Sequence, residues 1–321
     1  MIPSVGKQTN PARTASTGAR LLRIIRKDFV NNKVIYLMLI PVVAWYVIFC
    51  YWPMYGVVIA FKDFKPALGI LDSPWVGMEN FKEFFGSVYF GRTFKNTLLL
   101  SFYSLLFGFP APIIFALFLN ELRGKYFKRW IQTITYLPHF LSTVVICGLI
   151  LQFTNSTGFI TSFVNALSPH EGSLIADPSC FRAIYVISDI WAGFGWGSIV
   201  YLAAMMGINQ ELYESAYIDG ATRLKQMWYI TLPGIAPTVV IMLILAVGGL
   251  MSIGWEKAFL LQSPLTYETS DIISTFVYRK GFQDMDYSYS SAVGLFNSVI
   301  NCALILLANT VSRRVSETSL W

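Results

Sequence analysis

Charge is scarce in this chain of 321 residues: 13% are Asp, Glu, Lys or Arg, against 55% hydrophobic, and the mean hydropathy is +0.55. That balance excludes a single water-soluble core, because too little charge remains to cover its surface. Catalytic machinery is scarce as well. The two histidines, His139 and His170, stand apart from each other and from acids or cysteines at ligand spacing, so neither a metal site nor a catalytic constellation is expected. His139 reads as a packed helix residue. The four cysteines build no framework: Cys50, Cys147 and Cys302 fall in apolar runs, Cys180 stands alone, and no C-x-x-C occurs. There is no G-x-x-x-x-G-K-[ST] loop to cradle phosphate; Gly124-Lys125, for instance, runs into Tyr126. No cofactor is therefore expected on this chain. No basic tract is interleaved with aromatics, which argues against nucleic acid as a partner.

Apolar length is what the chain has. Continuous runs of about 20 residues read as membrane-spanning helices, since peptide groups in hydrocarbon must be satisfied within the segment, whereas a barrel would show short alternating strands. Six such runs are predicted: Val34–Phe61, Asn96–Leu119, Ile131–Phe153, Ile184–Met206, Thr238–Gly254 and Ala292–Val311. Pro41 and Pro53 should kink the first or end it early. Residues 1–33 are polar and basic, too long for the n-region of a cleaved signal, so the first run is expected to remain as an uncleaved anchor. Within them Arg20–Phe29 reads either as a basic amphipathic helix on the inner leaflet or as a plain positive-inside anchor.

The bases set an orientation. Most of the 24 lysines and arginines cluster in residues 1–33, 123–129, 223–225 and 313–314, so both termini are expected in the cytoplasm, leaving a net acidic outer face. The pI of about 9.0 is thus a topology signal. The segment Lys62–Lys95, with Pro66, Gly69, Pro74 and Gly77, should form a small extracytoplasmic cap. The expected organisation is an N-terminal segment 1–33 and an all-α six-helix domain 34–321, with the cap at about 62–95.

Between the fourth and fifth runs, residues 207–237 are too polar to stay in the bilayer. They include "YESAYIDGATRLKQMWYITLPGIAP". Glu211–Ile218 reads as a helix with Asn209 as N-cap and Glu211 and Glu214 favoured by the dipole in its first turn. Gly220 should end it, and Ala216 and Gly220, four apart, leave room for another backbone. Pro233 and Pro237 suit the start of the following span. On residues alone this is either a capped connector or a docking element.

The order Glu214-Ser215-Ala216, Asp219-Gly220-Ala221, Leu232-Pro233 and Pro237 resembles the EAA loop of type I ABC importer permeases. It departs from the family's Glu-Ala-Ala only by Ser215, a small residue compatible with docking. Further stretches, "PMYGVVIAFKDFKP", "SPWVGMENFKEFF", "YLPHF" and "AVGLFNSVIN", resemble the polysaccharide-type, LplB-like branch of that family, which includes alginate-import permeases. The similarity runs from about residue 34 to the C-terminus. It implies a MetI-like fold in the bacterial inner membrane, with a cytoplasmic coupling helix formed by the EAA segment. It implies a second homologous permease, two ATPase subunits carrying ATP and Mg, an extracytoplasmic solute-binding protein and an oligosaccharide substrate, neutral or uronic.

For the substrate path the candidates are Asp189, Trp191, Trp196, Trp255 and Asn297, because sugars are held by aromatic faces and polar groups and an ionisable residue in a span is costly. Each has a plain counterpart. Asp189 and Trp191 also suit a membrane interface, and Asn297 with Asn301 also suits helix-to-helix hydrogen bonding. A passive channel would lack the EAA-like loop, and a membrane-embedded enzyme would need clustered acids or histidines.

Overall fold

The computed structural model describes Asp28, residues 31–168 and residues 172–315. Apart from Asp28, the Arg20–Phe29 segment lies outside them, as does His170. Two units divide the chain, one up to Val58 and one from Ile59 onward. In the first, α1 (Lys33–Tyr46) buries none of its residues, as suits a span whose solvent is lipid. The helix runs through Pro41 to Tyr46, then gives way to a π stretch, Val47–Tyr51, and a 3₁₀ stretch, Trp52–Phe61.

The position of that change recurs. Proline withholds its N–H from the carbonyl four residues back, and in hydrocarbon that carbonyl must find another donor. A π stretch supplies one by bonding i to i+5. The stretches Val47–Tyr51, Ser104–Gly108 and Met227–Thr231 each end two residues before a proline: Pro53, Pro110 and Pro233. In each, the orphaned carbonyl (Phe49, Leu106, Tyr229) lies inside the π stretch. A fourth, Arg279–Gln283, precedes no proline.

The second unit begins with the segment expected to form the cap. Lys62 bridges to Trp75, Phe61 stacks on Trp75 at 5.8 Å, and Lys62 Nζ donates to the carbonyls of Ile70 and Leu71. Helix α2 (Glu79–Gly86) sends Phe84 into a buried cluster with Met251, Ile273, Phe276, Tyr289 and Val293. Edge-to-face contacts join Phe84 to Phe90, Tyr289 and Phe296, a geometry favoured by the ring quadrupoles. The second span then starts at Val88, earlier than the expected Asn96, so residues 88–95 belong to it as well as to the expected cap. It runs through α3 (Val88–Tyr103), the π stretch and α4 (Pro110–Glu121) as one apolar helix of 34 residues.

The third run is where expectation and structure differ most. Instead of one straight span there are two helices, α5 (Lys125–Tyr136) with a 3₁₀ turn to Phe140, and α6 (Thr143–Thr154), bent by 100° to each other. Leu137-Pro138-His139-Phe140 forms the turn, Leu141 is extended, and Ser142 caps α6 by accepting from the Val145 N–H. Among the described residues there are five helices long and apolar enough to span, or six if the bent pair is one span. Helix α7 (Phe159–Leu167) leads to α8 (Pro178–Met206), which packs along α4 through Phe115 and Phe194, edge to face at 4.8 Å.

Gly195 of α8 allows α5 to approach: a Cβ there would lie 2.2 Å from the Thr135 carbonyl oxygen, whereas Gly193 has nothing within 4 Å. Gly195→Ala should therefore lower the thermal midpoint of the purified protein and Gly193→Ala should leave it unchanged; equal midpoints would refute the close packing.

Helix α9 (Gln210–Ile218) and α10 (Arg223–Gln226) follow, and α10 continues through the π stretch into α11 (Leu232–Gly248). The fifth span helix thus begins at Arg223, well before the expected Thr238. Short helices α12 (Trp255–Leu261) and α13 (Ile273–Tyr278) precede the last span, α14 (Tyr287–Val315).

Candidate functional site

Helix α9 is assembled as its sequence dictates. The Asn209 side chain accepts from the Glu211 N–H at 3.1 Å, satisfying one of the free donors of the first turn. The C-terminus closes as a Schellman motif: the Ala221 N–H donates to the Ala216 carbonyl at 2.9 Å and the Gly220 N–H to Tyr217 at 3.1 Å. Gly220 sits at φ +72°, a conformation that any side chain would strain. Here lies the physical content of Asp219-Gly220-Ala221: it stops the helix and turns the chain into α10, whose Thr222 cap accepts from Lys225. Ser215 returns its hydroxyl to the Glu211 and Leu212 carbonyls, so the departure from alanine is absorbed within the helix. Tyr213 bonds Thr231 at 2.9 Å, fastening α9 to the π stretch just ahead of Leu232-Pro233.

The other face of this assembly is bare. Glu214 and Asp219 are exposed, and around them Leu212, Tyr217, Ile218, Leu224, Trp228 and Tyr229 are exposed as well. Leu224, Lys225, Trp228 and Tyr229 line a depression of about 290 Å³. An exposed apolar patch of this size beside acids has the make-up of a docking surface.

The substrate-path candidates divide. Trp255 and Asn297 come together, lining one cleft of about 270 Å³ with Ser274, Tyr278 and Phe282. Trp255 stacks on Tyr278 at 5.6 Å. Asn297 donates to the Met251 carbonyl while its own carbonyl oxygen is buried without a partner, and Asn301 accepts from the Met251 N–H. Helix-to-helix bonding, one of the two readings of these asparagines, is thus present. Trp196 lies elsewhere, its ring 4.5 Å from and parallel to that of His139, with Phe140 at its edge. Trp191 is half exposed on α8 and lines no part of the Trp255 cleft.

Asp189 has a partner that sequence spacing hides. Lys257 of α12, 8% exposed, reaches it at 3.2 Å, donates to the Tyr185 carbonyl at 2.9 Å and lies over the Tyr185 ring. Burial pushes the lysine below its usual pKa, and Asp189 opposes that shift. The pair pins α12, and with it Trp255, to α8.

A second network escaped sequence reading altogether. Asp271 is fully buried and is held by Arg92 at 2.7 Å and Arg279 at 2.9 Å. Asn96 donates to the carbonyls of Glu268 and Asp271 and accepts from Arg182. Three arginines from three parts of the chain therefore converge on one carboxylate and one amide. The sequence, where Arg92, Arg182 and Arg279 are each roughly ninety positions from the next, gives no hint of it.

Residues 108–317 match the family described as binding-protein-dependent transport system inner membrane component. Protein LplB of Bacillus subtilis (strain 168) is 42% identical over 316 residues, 98% of each chain. From the same organism, the polygalacturonan/rhamnogalacturonan transport system permease protein YteP is 39% identical over 293 residues, 91% of each. A chain in the crystal structure of a bacterial alginate ABC transporter, solved with its alginate pentasaccharide-bound periplasmic protein, superposes with a TM-score of 0.84 at 43% identity, covering 92% of this chain and 99% of that one. The chain belongs to this family, the inner-membrane permease components of binding-protein-dependent ABC transporters.

Proposed function

We propose that this permease forms half of the translocation path of an ATP-driven importer of oligosaccharides, uronic ones included, and that α9 is its coupling helix. A homologous second permease supplies the other half, two ATPase subunits bind ATP and Mg, and an extracytoplasmic binding protein delivers the sugar. Both termini lie in the cytoplasm, as the distribution of Lys and Arg favours. The observation that carries this reading is the capped α9 with Glu214, Ser215 and Ala216 on it, Asp219, Gly220 and Ala221 closing it in a Schellman motif, and a bare apolar surface beside it. The relatives named for alginate and polygalacturonan support an acidic oligosaccharide.

On the path, the Trp255–Tyr278 cleft supplies an aromatic face with Ser274 and Asn297 among its lining residues, the combination of ring and polar side chains a sugar with its hydroxyls requires. Trp191, Trp196 and Asp189 remain path candidates with less behind them, since Trp196 gives one ring face to His139 and Asp189 is paired with Lys257. In the reconstituted complex Trp255→Ala should raise the sugar concentration that half-stimulates ATP hydrolysis about tenfold, or ~1.4 kcal/mol, with Trp191→Ala and Trp196→Ala doing less. Unchanged stimulation in the Trp255 variant would remove the cleft from the path. Neutral and uronic oligosaccharides compared in the same assay decide the substrate class.

A further inference from the structure

Glu121 is the last residue of α4 and Arg223 the first of the helix that becomes the fifth span. A helix C-terminus carries partial negative charge and disfavours an acid, and an N-terminus disfavours a base. Each residue is therefore wrong for its own helix. They meet each other: Arg223 Nη1 donates to Glu121 Oε2 at 3.0 Å across 102 positions of sequence. Glu121 makes this contact although Arg123 and Lys125 are close to it in the chain.

We infer that Glu121–Arg223 is a positioning pair, a strut that makes the second and fifth spans move together when α9 is pulled. The placement supports this. Gly220 turns the chain directly from α9 into Arg223, and α10 to α11 is one helix of 26 residues, so displacement of α9 acts first on Arg223. Through Glu121 the same displacement reaches a second helix of 34 residues that packs along α8. Tyr213–Thr231 ties α9 only to the fifth-span helix itself. Arg223 is 54% and Glu121 29% exposed, so the pair's loss costs little stability and its value lies in coordinating motion.

The inference rests on α9 being the coupling helix, and the test separates the two. In the complete complex in proteoliposomes, Glu121→Arg and Arg223→Glu are each expected to assemble normally and hydrolyse ATP, with sugar imported per ATP falling at least about fivefold, the lower end of ordinary coupling effects. The double exchange restores the contact and places each charge at the helix end that favours it, so it should recover most of the lost coupling. Wild-type coupling in both single variants overturns the strut, as does a double exchange no better than either single. Glu214→Lys serves as the control: if it is inactive while the single variants couple normally, only the strut falls, and if it transports normally the coupling-helix reading falls too.

Discussion

Gly220→Trp and Glu214→Lys each abolish sugar uptake while the chain still reaches the membrane. For Gly220 the reason is backbone geometry. At φ +72° a side chain costs about 1–2 kcal/mol, and the Schellman closure that this conformation makes possible would be lost, leaving the Ala216 and Tyr217 carbonyls without their donors. Helix α9 would then run on or fray, and the direction in which it enters α10 would change. For Glu214 the reason is the surface. Its carboxylate is exposed beside the apolar patch, makes no contact that folding requires, and reverses sign in the variant, so a docked ATPase meets the wrong charge. Uptake and ATPase copurification are measured together. Normal uptake with normal assembly in both variants would remove α9 from the coupling route.

Asp271→Ala is expected to act on the fold itself. The carboxylate is fully buried, and removing it leaves Arg92 and Arg279 facing each other without their shared counter-charge. Breaking a buried ion pair from one side costs about 3–5 kcal/mol, a large share of a domain's total stability. The loss would be local first. Residues 262–278 are fastened to α3 by this carboxylate, by Asn96 on the carbonyls of Glu268 and Asp271, and by Thr97 accepting from the Ile273 N–H at 2.9 Å. Arg279 would keep its place over the Tyr267 ring, which limits but does not replace the lost contact. A fall in thermal midpoint and in yield of the complex is expected for Asp271→Ala, with Asp271→Asn intermediate because the amide still accepts hydrogen bonds. A wild-type midpoint in the alanine variant would show that the network carries no stability.

These two sites differ in how far the sequence discloses them. Helix α9 is local: its cap, its acids and its terminating glycine lie within twelve residues, and each has a short-range physical signature. The Asp271 network is the opposite case. Arg92 lies in the second span, which begins at Val88 rather than the expected Asn96. Its justification is a carboxylate 179 positions away. Asp189 and Lys257 are separated in the same manner, by 68 positions. The bend in the third run is a third kind of gap. Hydrophobicity over Ile131–Phe153 is continuous, and a periodicity argument cannot distinguish one span from two helices at 100°. Pro138 was the available signal, since it withholds an N–H inside the run, but the angle is set by extended Leu141 and the Ser142 cap.

If α9 is the coupling helix, closure of the ATPase subunits on ATP pulls it and moves the spans around a sugar path, a coupled two-state change. Its most direct measurement is the distance between spin labels at Ala216 and at the matching position of the second permease, in the complete complex with sugar and binding protein. The account predicts a shorter distance with trapped ATP than without nucleotide, and no shortening in Gly220→Trp. The same distance in both states of the wild-type complex, with uptake intact, would contradict it.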